Sequence, residues 1–364
     1  MKRSFDGRPV RLVATIGVAA VMLLSIAASA TAATASKAPA AEARATGGIT
    51  LGLPGIPPVF LGVRPYVARD AGFYSKYGAD VTLKQFTTGT DALRAVQAGQ
   101  IEAAWSPTPT VLAAISRGAP LVGIEGMDVI DWLVGSIDPN VTTCASLKGQ
   151  TIGVDTVGGA RYSALQAMLT KCKLDIHDVK TVNFPGAAAM QAMIAGQLKV
   201  SVLHIDELTQ IEKTGSKNVA VNVRLTDVDP YQHYDLLITT RDQIKVHYFD
   251  FVRMLAGDIA ATRYMYNPKN LDAVAKIATI TGDDQQVAAS ALKRYIAMQW
   301  WPLDRTGLGK ARITRTIGLN VKLGNIKLDA VPQWKNVVDT RMWKAGFVLV
   351  NKSKPKAAPP KKKK

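Results

Sequence analysis

The sequence predicts an α/β protein made of two related lobes. Predicted strands and helices alternate along the chain, and their pattern recurs at a fixed spacing. Of the 364 residues, 48% are hydrophobic and 20% are charged, a composition that can bury a core. At roughly 100–200 residues per domain, the chain has room for two or three domains. These observations exclude a generally disordered protein.

The first half of the chain alternates strands and helices. Alternating apolar residues predict the strands, while capping residues and glycines mark the helix ends. Because strands that alternate with helices usually pair in parallel, this order predicts a parallel sheet covered by helices. The predicted strands are 49–52, 81–86 and 101–105, and the predicted helices are 63–71, 92–98 and one beginning at 106–109.

The second half repeats this order at a constant offset. AVQAGQI at 95–101 corresponds to AMIAGQL at 192–198, and Arg64 corresponds to Arg161, both 97 residues apart. We interpret the repeat as two structurally related lobes. The predicted strands here are 151–154, 179–183 and 200–204, the predicted helices are 161–171 and 187–195, and about 236–347 is predicted to be mainly helical.

Residues 1–30 have the pattern of a cleaved secretion signal. Basic residues precede an uncharged apolar run at 12–27, and Ala-Ser-Ala at 28–30 is typical of a cleavage site. A membrane anchor is the weaker alternative, because a spanning helix needs about 20 apolar residues. Residues 31–47 are predicted to be a disordered linker. The mature protein is therefore expected in the periplasm.

The C-terminal segment, 351–364, contains seven lysines and is predicted to be a disordered tail. It carries seven of the +17 formal charges, so the folded body is only mildly basic. A lysine run can bind polyanions by releasing their counterions. The alternative is a solvated tail without a binding role, and no nucleic-acid partner is expected for an exported protein.

The composition argues against metal and enzyme chemistry. Two cysteines and four histidines without ligand spacing make a metal centre unexpected, and no cofactor is predicted. Gly-x-Ser-x-Gly, Walker and His-Glu-x-x-His motifs do not occur in the sequence. A hydrolase using Ser106 is an alternative, but it would need an activating base. We therefore predict a protein that is not an enzyme.

Several motifs resemble the SsuA/THI5/NMT1-like family of periplasmic solute-binding proteins. Members of this family serve importers of nitrate, alkanesulfonates, taurine and thiamine-pyrimidine precursors. The resemblance extends from about 49 to 348. Its motifs are YVARDAGFY at 66–74, TTGTDAL at 87–93, AGQI at 98–101, SPTP at 106–109, SLKGQTIGV at 146–154, AGQ at 195–197 and WKAGF at 343–347.

The resemblance implies a type II periplasmic-binding-protein fold, with two lobes of mainly parallel sheets joined by a hinge. Lobe 1 is predicted from 48–136 and 239–350, and lobe 2 from 137–238. The implied partners are a small-molecule solute and the permease of an ABC transporter, and the protein is expected to be a monomer. Solute would be captured between the lobes as they close.

Candidate binding residues lie where strands lead into helices, because helix N-termini present free N–H groups and a partial positive charge. Capping, core packing or simple solvation could explain each of them instead. In lobe 1 they are Pro57, Arg64, Thr87, Thr88, Gly89, Trp105 and Ser106; in lobe 2 they are Gly158, Gly159, Arg161, His204 and Asp206.

The class of solute stays open at this point. Arg161 could grip an oxyanion with two hydrogen bonds, which favours an alkanesulfonate, taurine-like or other small anion. The acidic pair Asp206 and Glu207 would instead favour a cationic solute, unless both only cap a helix. After the third strand of the second lobe, the family often has an aromatic or acidic residue followed by proline, whereas this chain has HIDE at 204–207. A pyrimidine or aromatic solute is a further alternative.

Cys144 and Cys172 are predicted to lie at the same side of lobe 2, away from the cleft. An oxidising compartment would let them form a disulfide. Two separate buried thiols are the alternative.

Overall fold

Two five-stranded sheets organise the protein. The structure, a computed structural model, describes residues 48–214 and 218–352. The strands of these ranges are β1 (Ile49–Pro54), β2 (Val81–Phe86), β3 (Ala103–Pro107), β4 (Leu121–Met127), β5 (Leu133–Ser136), β6 (Thr151–Val154), β7 (Lys180–Asn183), β8 (Val200–Leu203), β9 (Ala220–Arg224) and β10 (Asp235–Thr240).

Helices cover both sheets and fill most of the last third of the described chain. They are α1 (Val63–Asp70), α2 (Phe73–Lys76), α3 (Gly89–Gln97), α4 (Thr108–Ser116), α5 (Ala160–Lys171), α6 (Ala188–Ile194), α7 (Ile205–Thr214), α8 (Leu225–Val228), α9 (Arg241–Met265), α10 (Leu271–Ala278), α11 (Gln285–Ala297), α12 (Lys310–Lys322), α13 (Trp334–Val337) and α14 (Arg341–Lys352).

The two sheets have equivalent topologies. The first has the order β2-β1-β3-β10-β4, and the second has the order β7-β6-β8-β5-β9. In each sheet the fourth strand, β10 or β5, runs antiparallel to both of its neighbours, while the other pairings are parallel. The predicted α/β architecture of two lobes with mainly parallel sheets is therefore confirmed.

The internal repeat has a structural counterpart. β3 begins at Ala103 and β8 at Val200, and the helices that follow begin at Thr108 and Ile205. Both pairs are 97 residues apart, the offset that the sequence predicts. Equivalent elements of the two lobes therefore lie at equivalent positions in the two copies of the repeat.

The chain crosses between the lobes at 128–132, between β4 and β5, and at 225–234, between β9 and β10. Both crossing segments come earlier than the predicted lobe boundaries. Leu133–Ser136, assigned to lobe 1 from the sequence, pairs with β8 and β9 of the second sheet. Asp235–Thr240, assigned mostly to lobe 2, pairs with β3 and β4 of the first sheet. The apolar runs in these segments show that they are buried, but they do not indicate which sheet they join.

The region predicted to be mainly helical from about 236 begins instead with β10, and its helices start at Arg241. Strands β4, β5 and β9 were also missed by the sequence pattern. The long helix α9 packs against α14, where Gly346 lets the two backbones approach closely. A Cβ atom at Gly346 would lie 2.9 Å from the carbonyl oxygen of Val252.

Most of the two terminal segments lies outside the described ranges. The predicted signal and linker, 1–47, lie outside the described residues, and so does most of the predicted tail. Its first two residues, 351–352, extend α14 instead of being disordered. Within 48–214 and 218–352, no helix is long and apolar enough to cross a membrane.

The structure joins Cys144 and Cys172 in a disulfide, with their Cα atoms 5.2 Å apart. Cys144 precedes the short 3-10 helix Ala145–Leu147, and Cys172 caps the C-terminus of α5. The bond thus ties the two ends of the β6–α5 unit together.

Replacing both cysteines with serine should lower the free energy of unfolding by about 3–4 kcal/mol, because the bond closes a loop of sequence separation 28. Urea denaturation under oxidising conditions measures the difference. Dithiothreitol should lower the stability of the parent protein and leave that of the double variant unchanged. Equal stability of the parent and the double variant would contradict the prediction.

Candidate functional site

A cavity lies between the two lobes at the carboxyl ends of the parallel strands. It encloses about 420 Å³ including its open mouth. Its wall combines both lobes and both crossing segments: Pro54, Gly55, Val59, Thr87, Thr88, Gly89, Pro107, Trp132, Asp155, Ala160, Arg161, Gly186, His204, Tyr234 and Asp235.

The two lobes approach each other closely at one rim of this cavity. Gly186 of the second lobe has a positive φ of 58°. A Cβ atom on it would lie 3.7 Å from the backbone nitrogen of Ile56 and 3.9 Å from the carbonyl oxygen of Thr87. The structure therefore has the lobes in contact around the cavity.

Five predicted site residues lie in the wall: Thr87, Thr88, Gly89, Arg161 and His204. Thr88 also caps α3, since its hydroxyl accepts a hydrogen bond from the backbone N–H of Asp91 at 3.1 Å. Position 89 leaves no room for a side chain, because a Cβ atom there would lie 2.7 Å from Cδ of Pro107.

The other predicted residues of lobe 1 lie outside the wall. Pro57 is exposed at the surface. Trp105 and Ser106 are buried in β3, which matches the alternative of core packing. Arg64 is 1% exposed and pairs with Glu125 of β4 through two hydrogen bonds of 2.6 and 3.1 Å.

In lobe 2, Gly158, Gly159 and Asp206 also lie outside the wall. Gly159 nevertheless shapes it, because a Cβ atom there would lie 2.5 Å from the Asp155 carboxylate. That carboxylate accepts hydrogen bonds from the backbone N–H groups of Arg161 at 3.2 Å and Tyr162 at 3.3 Å. An internal carboxylate thus occupies the N-terminus of α5, where an anionic solute would otherwise bind.

The Arg161 side chain donates its hydrogen bonds to groups of the protein itself. Its two terminal nitrogens donate to the Glu207 carboxylate at 2.9 and 2.7 Å, and further to the carbonyl oxygens of Val202 and Gly186. The side chains of Arg161 and Glu207 are only 3% and 5% exposed. The guanidinium charge that faces the cavity is therefore already neutralised.

His204 is held by an acidic residue of the first crossing segment. Its Nδ1 lies 2.9 Å from both carboxylate oxygens of Asp131, and its ring centroid lies 3.7 Å from that of Trp132. Burial by itself would lower the pKa of His204, but the Asp131 carboxylate outweighs it and raises that pKa above 6.5. His204 of the wall thus forms a buried ion pair with Asp131, which lies behind it.

Tyr295 of α11 connects this pair to Asp206. Its hydroxyl lies 2.7 Å from Asp131 and 2.7 Å from Asp206. A phenol has one hydrogen to donate, so two such contacts require a proton on one of the carboxyl groups. Burial raises the pKa of Asp206 to about 7, whereas Asp131 faces His204. The proton therefore belongs to Asp206.

Tyr234 and Asp235, at the second crossing, were missed by the sequence analysis. Asp235 is 2% exposed, and its Oδ1 has no hydrogen-bond partner in the described part of the chain. Burial raises its pKa to about 8. The signal was present in the acidic residue directly before the apolar run at 236–238, but this run was assigned to the helical region.

Asp131, His204 and Asp206 also have the composition of a metal site. One ligand atom from each lies within 4.8 Å of the others, and all three residues are buried. Their hydrogen bonds to one another and to Tyr295 satisfy these atoms without an ion. The arrangement is therefore that of a hydrogen-bonded network.

Two equivalent lobes, two crossing segments and a cavity between them define a periplasmic-binding-protein fold, as predicted. The sequence profile described as NMT1/THI5 like matches residues 60–270. The chain belongs to this family, which confirms the resemblance in the sequence.

Individual relatives agree on the fold. The nitrate-binding protein NrtA of Synechocystis PCC 6803 superposes with a TM-score of 0.69 at 14% identity, over 83% of this chain and 89% of that one. The alkanesulfonate-binding protein SsuA of Xanthomonas axonopodis pv. citri, bound to MOPS, gives 0.64 at 16%, over 80% and 98%. A Brucella abortus (strain 2308) protein, described only as a candidate binding protein, is 21% identical over 73% of this chain and 83% of its own. The fold also occurs in the desulfurization enzyme DSZB, with a TM-score of 0.56 at 13% identity, over 83% and 99%.

Replacing Glu207 with alanine should destabilise the protein by about 3–5 kcal/mol, because it leaves the buried Arg161 charge without a partner. Urea denaturation measures the loss. The exposed pair Lys245–Asp242 provides the control, since Asp242→Ala should change stability little. A similar small effect at Glu207 would show that Arg161 is not held by this ion pair.

Stability should fall as the pH rises from about 4 to 7. Within this window the folded state keeps a proton on Asp206, with a pKa of about 7, that the unfolded chain, with a value near 3.8, has released. Asp206→Asn, which permanently supplies an N–H donor to Tyr295, should reduce this slope by up to about 1.4 kcal/mol per pH unit. Exposed Asp329 is the control, because Asp329→Asn should keep the slope of the parent. An unchanged slope in Asp206→Asn would place the proton elsewhere.

Proposed function

We propose that the protein is the extracytoplasmic receptor of an ABC importer. It captures a small organic solute between its lobes and presents the closed complex to a permease. Membership of the NMT1/THI5-like family supports this role, and so does the fold shared with the nitrate-binding and alkanesulfonate-binding proteins.

The observation that carries the proposal is the composition of the cavity wall. Thr87 and Gly89 come from one lobe, Arg161 and Gly186 come from the other, and Trp132 comes from a crossing segment. A group held between them contacts both lobes only when they are together. Binding energy would therefore favour the closed arrangement over an open one.

Contacts outside the cavity support closure as a hinge movement. Arg294 of α11 donates to the Thr209 hydroxyl of α7 at 2.7 Å, and also contacts Glu212 at 3.2 Å. Together with the Tyr295–Asp206 contact, these bonds join α11 to the second lobe. The Arg294–Glu212 pair is solvent-exposed, with side chains 45% and 39% exposed, so it can break and re-form at low cost.

The hydrolase alternative has little support. Ser106 is 0% exposed, lies outside the cavity wall, and its hydroxyl has no hydrogen-bond partner in the described ranges. A nucleophilic serine needs a base within hydrogen-bond reach. Most of the predicted lysine-rich tail, 353–364, lies outside the described residues, and its role in binding polyanions stays a prediction.

Solute that copurifies with the protein should be released by denaturation and identified by mass spectrometry. Removal of the solute should lower the midpoint of thermal unfolding, and adding it back should restore the midpoint, because a ligand of the folded state stabilises it by RT ln(1 + [L]/Kd). Ala160→Trp should abolish this restoration, since Ala160 lines the cavity and an indole ring there would fill it.

Ala195→Trp serves as the matched control, because Ala195 is exposed at the end of α6 in the same lobe. This variant should bind solute as the parent does. Restoration of the midpoint by solute in Ala160→Trp would mean that the cavity is not the binding site.

A further inference from the structure

One charged group in the cavity wall has an oxygen that the described protein does not satisfy. The wall contains four charged or ionisable side chains other than tyrosine: Asp155, Arg161, His204 and Asp235. Asp155 accepts backbone N–H groups, Arg161 pairs with Glu207, and His204 pairs with Asp131. Oδ1 of Asp235 is buried and has no partner in the described ranges.

Asp235 is placed there by the fold. As the first residue of β10, it lies opposite Pro107 of β3 and Met127 of β4. It is therefore anchored by backbone pairing on both sides. A buried carboxylate oxygen without a hydrogen bond costs free energy, and a donor brought by the solute would recover it.

The charges around Asp235 favour a positive solute. Two cations, Arg161 and His204, face the cavity. The carboxylates in and directly behind the wall are more numerous: Asp131, Asp155, Glu207 and Asp235. Ionised Asp235 therefore gives this region an excess of negative charge, in contrast to the anionic solute that the sequence favours.

We propose that Asp235 determines the solute class, and that the receptor binds a small organic cation whose amine or amidine N–H donates to the Asp235 carboxylate. This inference rests on the proposed function and specifies the solute for the same cavity. Trp132, Tyr234 and Val59 line the same cavity and offer apolar surface to the carbon part of such a solute. A charge-assisted hydrogen bond in a buried site gives both affinity and orientation.

Binding of a cation and binding of an anion predict opposite effects of pH on affinity, because they require different protonation states of Asp235. Burial raises the pKa of Asp235 to about 8, so its carboxyl group holds a proton at pH 6–7. Binding a cation ionises Asp235 and releases that proton, so affinity rises with pH. Binding an anion through protonated Asp235 would keep the proton, so affinity would fall as the pH approaches 8.

The other groups that face Asp235 do not reverse this sign. The charges of His204 and Asp131 act on it, Tyr234 precedes it, and Arg161 and Asp155 come from the N-terminal end of α5. Protonation of His204 at lower pH adds positive charge, which also weakens binding of a cation. Both titrations thus make cation affinity increase with pH.

The experiment compares probes of similar shape and opposite charge on solute-free protein. The cationic probes are benzylamine, benzamidine and butylamine, and the anionic probes are benzenesulfonate, benzoate, butanesulfonate and nitrate. Thermal unfolding detects binding, and titration calorimetry in buffers of different ionisation enthalpy counts the protons released. We expect at least one cation to bind and to release up to one proton at pH 6–7, and no anion to bind.

Two buried aspartates provide matched variants. Asp235→Asn should weaken cation binding at least tenfold, because it removes the charge and keeps the shape. Asp258 is also buried, and one of its oxygens has no hydrogen-bond partner among the described residues, but it contacts Tyr74 in the first lobe and lies outside the cavity wall. Asp258→Asn should bind the cation within twofold of the parent. Circular dichroism checks that both variants are folded.

Each remaining outcome overturns the inference. Binding of an anion without any cation would leave the receptor function standing and refute the role of Asp235. Equal cation affinity in the parent and in Asp235→Asn would do the same. Binding of neither kind of probe would count against both the solute class and the proposed function.

Discussion

Each sheet of this protein is completed by a strand that arrives from the other lobe. β5 enters the second sheet directly after the chain leaves the first, and β10 enters the first sheet directly after the chain leaves the second. Both strands lie between two neighbours, so neither can be withdrawn without breaking ladder hydrogen bonds on both sides. Each of these strands therefore holds its sheet together on both sides, and the short crossings link the two lobes.

The crossings also supply the cavity. Trp132 immediately precedes β5, Tyr234 immediately precedes β10, and Asp235 is the first residue of β10. Residues at both crossings therefore form part of the wall. Backbone pairing of the adjoining strands fixes their positions relative to one lobe, while residues of the opposite lobe form the facing wall.

The charge pattern of the cavity follows from how the protein neutralises its own buried groups. Arg64 and Arg161 occupy equivalent places in the repeat, yet each is paired with a glutamate from a different kind of element, β4 in one lobe and α7 in the other. Asp155 similarly occupies the N-terminus of α5. These internal contacts neutralise the positive groups that could otherwise bind an anionic solute. Asp235, at the end of the second crossing, is the exception, because its Oδ1 has no hydrogen-bond partner in the described ranges.

Local sequence predicted much of the first two-thirds of the fold. The strand at 81–86 and the strand at 151–154 have the predicted bounds, and α1 and α5 differ from theirs by one residue. Capping residues and alternating apolar positions are local signals, and they suffice for elements of this kind. The same local signals placed Thr87–Gly89 and Arg161 at helix N-termini, where they line the cavity.

The sequence by itself determined the alternation of strands and helices, the duplicated lobes, the family and the loops that meet at the cleft, because each is encoded in neighbouring residues or in a repeat. The tertiary structure alone decided which sheet receives β5 and β10 and which glutamate neutralises Arg64 and Arg161. It also decided that Asp235 lines the cavity with an oxygen that the described residues leave without a hydrogen bond. Those features join residues that are distant in sequence, such as Arg161 with Glu207 and Asp131 with Tyr295. Fully buried strands carry no periodicity that identifies their partners, so only the packed chain reveals them.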